Sequence, residues 1–303
     1  MKFDVIGFGA LNVDKIFRVP KIAHEEEETF VLNVEETAGG SAANTIVGLA
    51  RLELKTGFIG KVAIDHEGQL LLDDFRSEGV NTDGIIVSKS GNSGTVAAYV
   101  DKKGQRALYV HPSVNDALTF EEVDLDYARQ SRLMHLTSVD TKPFVAQKKL
   151  VKELPDAQIC FDPGQIYAKK GLKALKPIIQ RSVAVLPSEG ELKMLTGKGW
   201  KKGAENLLKE GAGIVAVKLG ERGCYVTDGK ESHLIEPFKV KVVDTTGAGD
   251  AFCAGFIYGL VKGRDLCHCG KLGNFVASRC ITKVGARKGL PKLNEVEAAL
   301  KGF

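Results

Sequence analysis

Near the C-terminal end of the chain, Asp244-Thr245-Thr246-Gly247-Ala248-Gly249-Asp250 places a glycine-rich turn in front of the apolar run Ala251-Phe252-Cys253-Ala254-Gly255-Phe256. A turn that opens a helix in this way leaves backbone N–H groups unpaired at the positive end of the helix dipole, which makes it an anion site. Gly247, Ala248 and Gly249 keep the turn free of side chains that would obstruct a phosphate. Asp250 then falls in the first helical turn. A lone aspartate there ordinarily complements the dipole and nothing more. Beside a phosphate site it can instead take the proton of an attacking hydroxyl, and the glycines around it favour that second role.

A second constellation lies near the N-terminus, at Ala38-Gly39-Gly40-Ser41-Ala42-Ala43-Asn44. Two adjacent glycines let backbone N–H groups approach a polyhydroxy ligand, and an asparagine both donates and accepts hydrogen bonds. Taken alone, a Gly-Gly pair before a helix is an ordinary turn.

Together these segments resemble the ribokinase-like (phosphofructokinase B type) carbohydrate kinases, whose C-terminal signature D-T-x-G-A-G-D is matched throughout by residues 244–250. The resemblance implies an ATP-dependent kinase acting on a hydroxyl of a small sugar or nucleoside, with Asp250 as base and the Gly247-Ala248-Gly249 backbone stabilising the transferring phosphoryl group. It also implies that Gly39, Gly40 and Asn44 bind the acceptor together with Asn12 and Asp14, from the segment Gly9-Ala10-Leu11-Asn12-Val13-Asp14. Pro187-Ser188-Glu189-Gly190-Glu191 is similar to the family's P-N-x-x-E segment, which assigns Glu191 to Mg2+ through water, with Ser188 standing in place of the Asn. Lys218-Leu219-Gly220-Glu221-Arg222-Gly223 resembles the nucleotide loop, so Lys218, Gly220, Gly223 and, on a later helix, Asn274 are expected at ATP. A monovalent cation such as K+ is implied beside the anion turn, held by Asp244, Thr246, Cys280, Lys283 and Gly285. Where ribokinases carry a ribose-binding Glu, this chain has Thr137, which weighs against ribokinase proper.

These residues must be positioned by a suitable frame, and the hydrophobic pattern describes one. Residues 3–9 read as a buried strand and residues 40–52 as a helix; from residue 132 onward apolar strand-length runs alternate with helical ones. That rhythm belongs to an α/β fold with a mostly parallel central sheet and helices on both faces. Residues 15–36 and 94–110 instead alternate apolar and polar positions, with a turn over residues 101–104, and are expected to form a small β lid. The main domain would then comprise residues 1–14, 37–93 and 111–303. In the family such lids close over the acceptor and often pair between subunits, so a homodimer is an expectation.

At 303 residues, 44% hydrophobic and 26% charged, the chain has the composition of a globular protein, and its net charge of +4 is scattered rather than gathered in a stripe. Nucleic acid and anionic membranes are therefore poor candidates as main partners. The opening residues run into a strand pattern rather than a signal peptide and no apolar stretch would span a bilayer, so a cytoplasmic location is expected. Gly7-Phe8-Gly9 lacks the third glycine of a dinucleotide fingerprint, and Gly197-Lys198 is followed by Gly199 rather than the Ser or Thr of a P-loop. Whether the acceptor is a sugar or a nucleoside turns on an apolar wall for a base. Phe17, Phe30, Ala97 and Tyr99 in the lid are the candidates, each of them equally suited to packing the lid, and a sugar is the favoured reading.

Overall fold

The computed structural model describes residues 2–300. In chain order the strands are β1 (Phe3–Phe8), β2 (Asn12–Arg18), β3 (Asn33–Gly39), β4 (Thr56–Ala63), β5 (Ile85–Ser88), β6 (Gly94–Val100) and β7 (Arg106–His111). They continue with β8 (Ser131–Thr137), β9 (Gln158–Asp162), β10 (Ser182–Val185), β11 (Ile214–Lys218), β12 (Cys224–Thr227) and β13 (Ser232–Ile235). The helices are α1 (Ser41–Arg51), α2 (His66–Ser77), α3 (Leu125–Ala128), α4 (Lys142–Glu153), α5 (Gly164–Ala168) and α6 (Leu172–Ile179). After them come α7 (Glu189–Thr196), α8 (Trp200–Lys209), α9 (Ala248–Val261), α10 (Leu266–Cys280) and α11 (Leu293–Leu300).

Nine strands form one sheet in the order β13-β12-β11-β10-β9-β8-β1-β4-β5, with every neighbouring pair parallel except the two that β12 makes, with β11 and β13. Its central strands are apolar on both faces because helices cover both. On one face Val5, Leu133, Cys160, Ala184 and Ala216 pack under α1, α9 and α10. On the other, Ile6, Met134, Ile159, Val185 and Val215 pack under α4, α6 and α8. Helix α9 is buried from Ala251 to Gly259, which accounts for a sequence that is apolar all round.

The sequence pattern assigns no elements to residues 53–93, where the structure has β4, α2 and β5. Gly57 and Gly60 interrupt the apolar run of β4, although that strand is buried along its whole length. Asp65 caps α2 by accepting from the Gly68 N–H at 2.7 Å.

The second sheet has four strands in the order β3-β2-β6-β7, with β2 and β6 parallel and the outer pairs antiparallel. β2 begins at Asn12 and β3 ends opposite it at Gly39, so this end of the sheet carries the Asn12 and Asp14 side chains and leads through Gly40 into α1. Gly40 has φ +109°, and a Cβ on it would collide with the Ala10 carbonyl oxygen. Only glycine makes that junction without strain. The parallel strands β1, β8, β9 and β11 all point their carboxyl ends at the region between the two sheets, where open α/β sheets bind ligands.

Candidate active site

Asp250 lies at the start of α9, where its carboxylate is held from α1: the Ser41 hydroxyl donates to Oδ1 at 2.5 Å and the Asn44 Nδ2 to Oδ2 at 2.8 Å. Thr45 adds a bond to the Asp250 carbonyl at 3.1 Å. Burial pushes the carboxyl up to about 6, against the pull of those two donors. A carboxylate poised there is ionised at neutral pH yet basic enough to take a proton.

The turn in front of it is shaped by Gly247, at φ +76°, where a Cβ would stand 2.5 Å from that of Ala286. The Ala248 N–H turns back to the Thr245 carbonyl at 3.2 Å. Those of Gly247 and Gly249 have no hydrogen-bond partner among the described residues. The Asp250 N–H is likewise without a partner among them, so three amides of this turn are available to a ligand.

Beneath the turn, Lys218 at the end of β11 pairs with Asp162 at the end of β9, Nζ to Oδ2 2.6 Å. Burial would depress this ammonium, but Asp162, with Cys253 and Glu191 nearby, holds it above its ordinary value and charged. Its Nζ lies 3.5 Å from where a Cβ on Gly249 would be, so a fixed positive charge underlies the anion turn.

Glu191 and Ser188 form a reciprocal cap at α7: the Ser188 N–H donates to Glu191 Oε2 at 2.7 Å and the Glu191 N–H to Ser188 Oγ at 3.3 Å. Ser188 thus serves the helix end where the family pattern has Asn. Burial, aided by Asp162, raises the Glu191 carboxyl.

Glu191, Lys218, Gly220, Gly223, Asn274 and Asp250 all line one cleft of about 770 Å³. Asn274 also donates to the Ile235 and Glu236 carbonyls at 3.1 and 3.0 Å, so its amide fixes the end of β13 at the cleft wall. At Gly223, φ +80°, a Cβ would strike the Ile235 carbonyl oxygen.

Asp14, Asp244, Thr246 and Gly285 line a neighbouring cavity of about 430 Å³, together with Arg287. Burial raises Asp14 to about 6, while the Arg287 charge opposes it. Asp14 lies against Gly39, where a Cβ would come within 2.5 Å of its Oδ2. Asn12 Oδ1 accepts from Asn115 Nδ2 at 3.0 Å, and Asn115 also bridges both backbone groups of Leu11.

Asp244 ties the anion turn to the loop after α10. It accepts from the Thr246 N–H and hydroxyl at 2.9 and 2.7 Å, and from the Gly285 N–H at 2.9 Å. Burial works against ionisation here, but those bonds hold the carboxyl below its ordinary value. The Cys280 thiol touches the Thr246 and Ala286 carbonyls, and the Lys283 N–H donates to the Cys280 carbonyl at 3.4 Å. The five residues expected at a monovalent cation thus belong to one pair of linked loops.

Four participants were not singled out by the sequence pattern: Ser41, Arg287, the Lys218–Asp162 pairing, and Arg106, whose Nη1 donates from the lid to Thr246 Oγ1 at 3.3 Å. Ser41 was within reach, being the residue between Gly40 and the helix that carries Asn44. Arg287 and Arg106 carry no local signal, because their roles depend on what the fold brings opposite them.

Residues 2–293 match the family model for pfkB family carbohydrate kinases. The chain belongs to the pfkB family of carbohydrate kinases. It is 46% identical to an uncharacterized sugar kinase of Archaeoglobus fulgidus over 81% of this chain and 99% of that protein. It is 30% identical to an ATP-dependent ribose-1-phosphate kinase of Halopiger xanaduensis over 98% of this chain and 97% of that one. The crystal structure of a Thermotoga maritima ribokinase superposes with a TM-score of 0.89 at 28% identity, covering 99% of both chains. This pfkB-family chain is thus a phosphotransferase of the sugar and nucleoside kinase type, with the ribokinase-like α/β fold. Among its described residues no helix is long and apolar enough to cross a membrane.

Proposed function

We propose that this kinase transfers the γ-phosphoryl group of ATP to a hydroxyl of a small sugar. The observation that carries the reading is the half-buried Asp250 carboxylate, held by Ser41 and Asn44 next to the unpartnered Gly247 and Gly249 amides and over the Lys218 charge. In this mechanism the acceptor hydroxyl lies between Asp250 and the turn. Asp250 takes its proton as the oxygen attacks phosphorus, and the two amides with Lys218 stabilise the charge on the phosphoryl oxygens. The nucleotide occupies the large cleft, bordered by Gly220, Gly223 and Asn274. Glu191 is suited to hold Mg2+ through water, as a half-buried carboxylate facing that cleft, and the ion would neutralise phosphate charge. Asp244, Thr246, Cys280, Lys283 and Gly285 would serve K+.

Asn12, Asp14, Gly39, Gly40 and Asn44 are the acceptor contacts in this reading. Strand register favours a sugar over a nucleoside. Phe17, Ala97 and Tyr99 share one face of the lid sheet, because Phe17 pairs with Tyr99 and Lys15 with Ala97. Asp14 and Ile16 point to the other face, where their partners are Val96 and Ala98, followed by Val110 and Leu108. Phe30 lies in the segment between β2 and β3, 84% exposed. The aromatic wall expected for a base is thus absent from the Asp14 face, which is aliphatic. The lid, residues 15–36 and 94–110, would close over the acceptor, and its exposed Leu108, Tyr109 and Val110 suit pairing with a second copy. ADP release measured with free pentoses, hexoses and nucleosides tests the reading. A sugar should give the highest kcat/KM, and a nucleoside ahead by tenfold, about 1.4 kcal/mol of transition-state preference, would reverse the assignment.

A further inference from the structure

Behind Asp250 a second tier of polar contacts runs from α1 to the loop after α10. Arg287 Nε donates to Asn44 Oδ1 at 2.8 Å, and Asn44 Nδ2 donates in turn to Asp250 Oδ2 at 2.8 Å. The guanidinium is anchored on its far side by Asp74 of α2. Its own carbonyl accepts from Arg51 Nη1 at 2.6 Å, and Arg51 is gripped by both oxygens of Glu78.

The chemistry of this chain is directional. The two ends of an asparagine amide are nearly the same shape but opposite in function, one accepting and the other donating. The Asp250 carboxylate, an acceptor only, selects the NH2 end when it is ionised, and Arg287 is the second group that selects the same orientation, whatever the protonation state of Asp250. A guanidinium has donors only, so an Nε–H held against Oδ1 leaves the NH2 end as the one that faces Asp250. The flipped amide would set oxygen against carboxylate and N–H against N–H. Arg287 is buried, and its Nη2 has no hydrogen-bond partner among the described residues. An interior guanidinium with an unmet donor costs stability, a cost that filling space alone would not require.

We propose that Arg287 is a positioning residue for phosphoryl transfer, fixing the Asn44 amide so that its NH2 group holds the Asp250 carboxylate in the orientation that receives the acceptor proton. The proposal rests on Asp250 being the base. Two variants of matched length separate this role from a structural one. In Arg287→Gln the Nε2 stands at the same point along the side chain as the arginine Nε and can still donate to Asn44. In Arg287→Met that donor is gone. Both lose the charge and the Asp74 pair, so both share the loss of stability. Arg287→Met should lower kcat by about tenfold or more, whereas Arg287→Gln stays within about threefold of the parent in kcat; the charge lost beside Asp14 is common to both, so acceptor KM should change alike in the two. In an Asn44→Ala background the difference between the two should vanish. Asp74→Asn leaves the Nε donor in place, and should lower the melting temperature without the loss in kcat. Equal kcat losses in the Gln and Met variants, or a tenfold loss in folded Arg287→Gln, would overturn the proposal. A second readout needs no turnover: the 15N side-chain amide signal of Asn44, identified by its loss in Asn44→Ala. It should exchange slowly in the parent and in Arg287→Gln but fast in Arg287→Met, and equal exchange in all three would also overturn it. If the parent phosphorylates no acceptor, the function reading fails while this amide test still decides the role of Arg287.

Discussion

Asp250 is gripped by side chains from α1, beneath which α9 and α10 pack so closely that a Cβ on Gly255 would strike the Leu272 carbonyl oxygen. The lid sheet that carries Asp14 leaves Leu108, Tyr109 and Val110 52%, 65% and 63% exposed. One region is fixed by dense packing and short polar contacts across elements far apart in sequence. The other is fixed mainly by strand pairing, with charged pairs such as Lys15–Glu67 at its border. The proposed phosphoryl transfer would use both kinds of construction. The groups around the reacting oxygen must be preorganised, while the cover over them must open to admit ligands, and such covers come from the less stable end of a structure.

Asp250→Asn probes the packed region most directly and carries the largest expected effect. Asn keeps the shape and cannot take a proton, so kcat should fall by at least about 10²-fold with nucleotide affinity nearly unchanged. Purified variant turning over near the parent rate would remove Asp250 from the chemistry and erase the contrast between the two regions.

Gly247→Val attacks the same region through the backbone. A β-branched residue at φ +76° is strained, and its Cβ would press on Ala286. The variant should lose about 1–3 kcal/mol of stability in a urea melt and at least about tenfold in turnover. Wild-type activity in a folded variant would show that phosphate binds away from this turn.

The pH dependence sharpens the comparison, because one carboxyl from each region is raised to about 6, Asp250 at the start of α9 and Asp14 on β2 of the second sheet, at the lid's edge. Both should be ionised for turnover, Asp250 to take the proton and Asp14 to accept from an acceptor hydroxyl. As pH falls through about 6, kcat/KM should therefore drop with a slope steeper than one on a log plot, tending toward two. Asp14→Asn should return the slope to one while raising acceptor KM. Stability should run the opposite way. Both groups ionise near 3.8 when unfolded and near 6 when folded, so the native state binds more protons between those values. Their contribution is then full below pH 3.8 and lost as pH rises through 6. A single-slope profile in the parent would show that the lid carboxylate does not take part.

The same division decided what could be read from the sequence. The glycine-rich turn at the start of α9 was legible because it stands directly before an apolar helical run, and the alternation from residue 132 onward announced the parallel sheet. Strands β4 and β5 escaped because two glycines blur the pattern of β4 and β5 has only four residues. Arg287 escaped for a different reason. Its meaning lies in Asn44, 243 positions away, and no periodicity links residues that only the fold brings together. The faces of the lid were also out of reach, since which side of a strand faces the site depends on register and not on residue type. Tyr99 illustrates this, an aromatic of suitable size that the pairing places on the face away from Asp14.

The smallest expected effect belongs to the contact that joins the two regions. Arg106, at the start of β7, reaches from the lid to Thr246 in the anion turn, which Asp244 also holds. An exposed hydrogen bond of 3.3 Å adds little to stability, so Arg106→Ala should leave the melting temperature nearly unchanged. Its weight should appear when the lid is closed, because the same bond then helps to hold the cover against the turn. Turnover should fall by about fivefold, near 1 kcal/mol, the scale of one hydrogen bond. Hydrogen exchange supplies the mechanism. In the parent, saturating sugar with a nonhydrolysable ATP analogue should slow exchange across β2, β3, β6 and β7 while α9 and α10 change little, being protected already. In Arg106→Ala that slowing should be weaker. If ligand leaves exchange in the lid strands unchanged in the parent, the lid is a fixed wall and the two regions differ in packing alone. If it slows equally in parent and variant, the lid closes without this contact and Arg106 serves only the open surface.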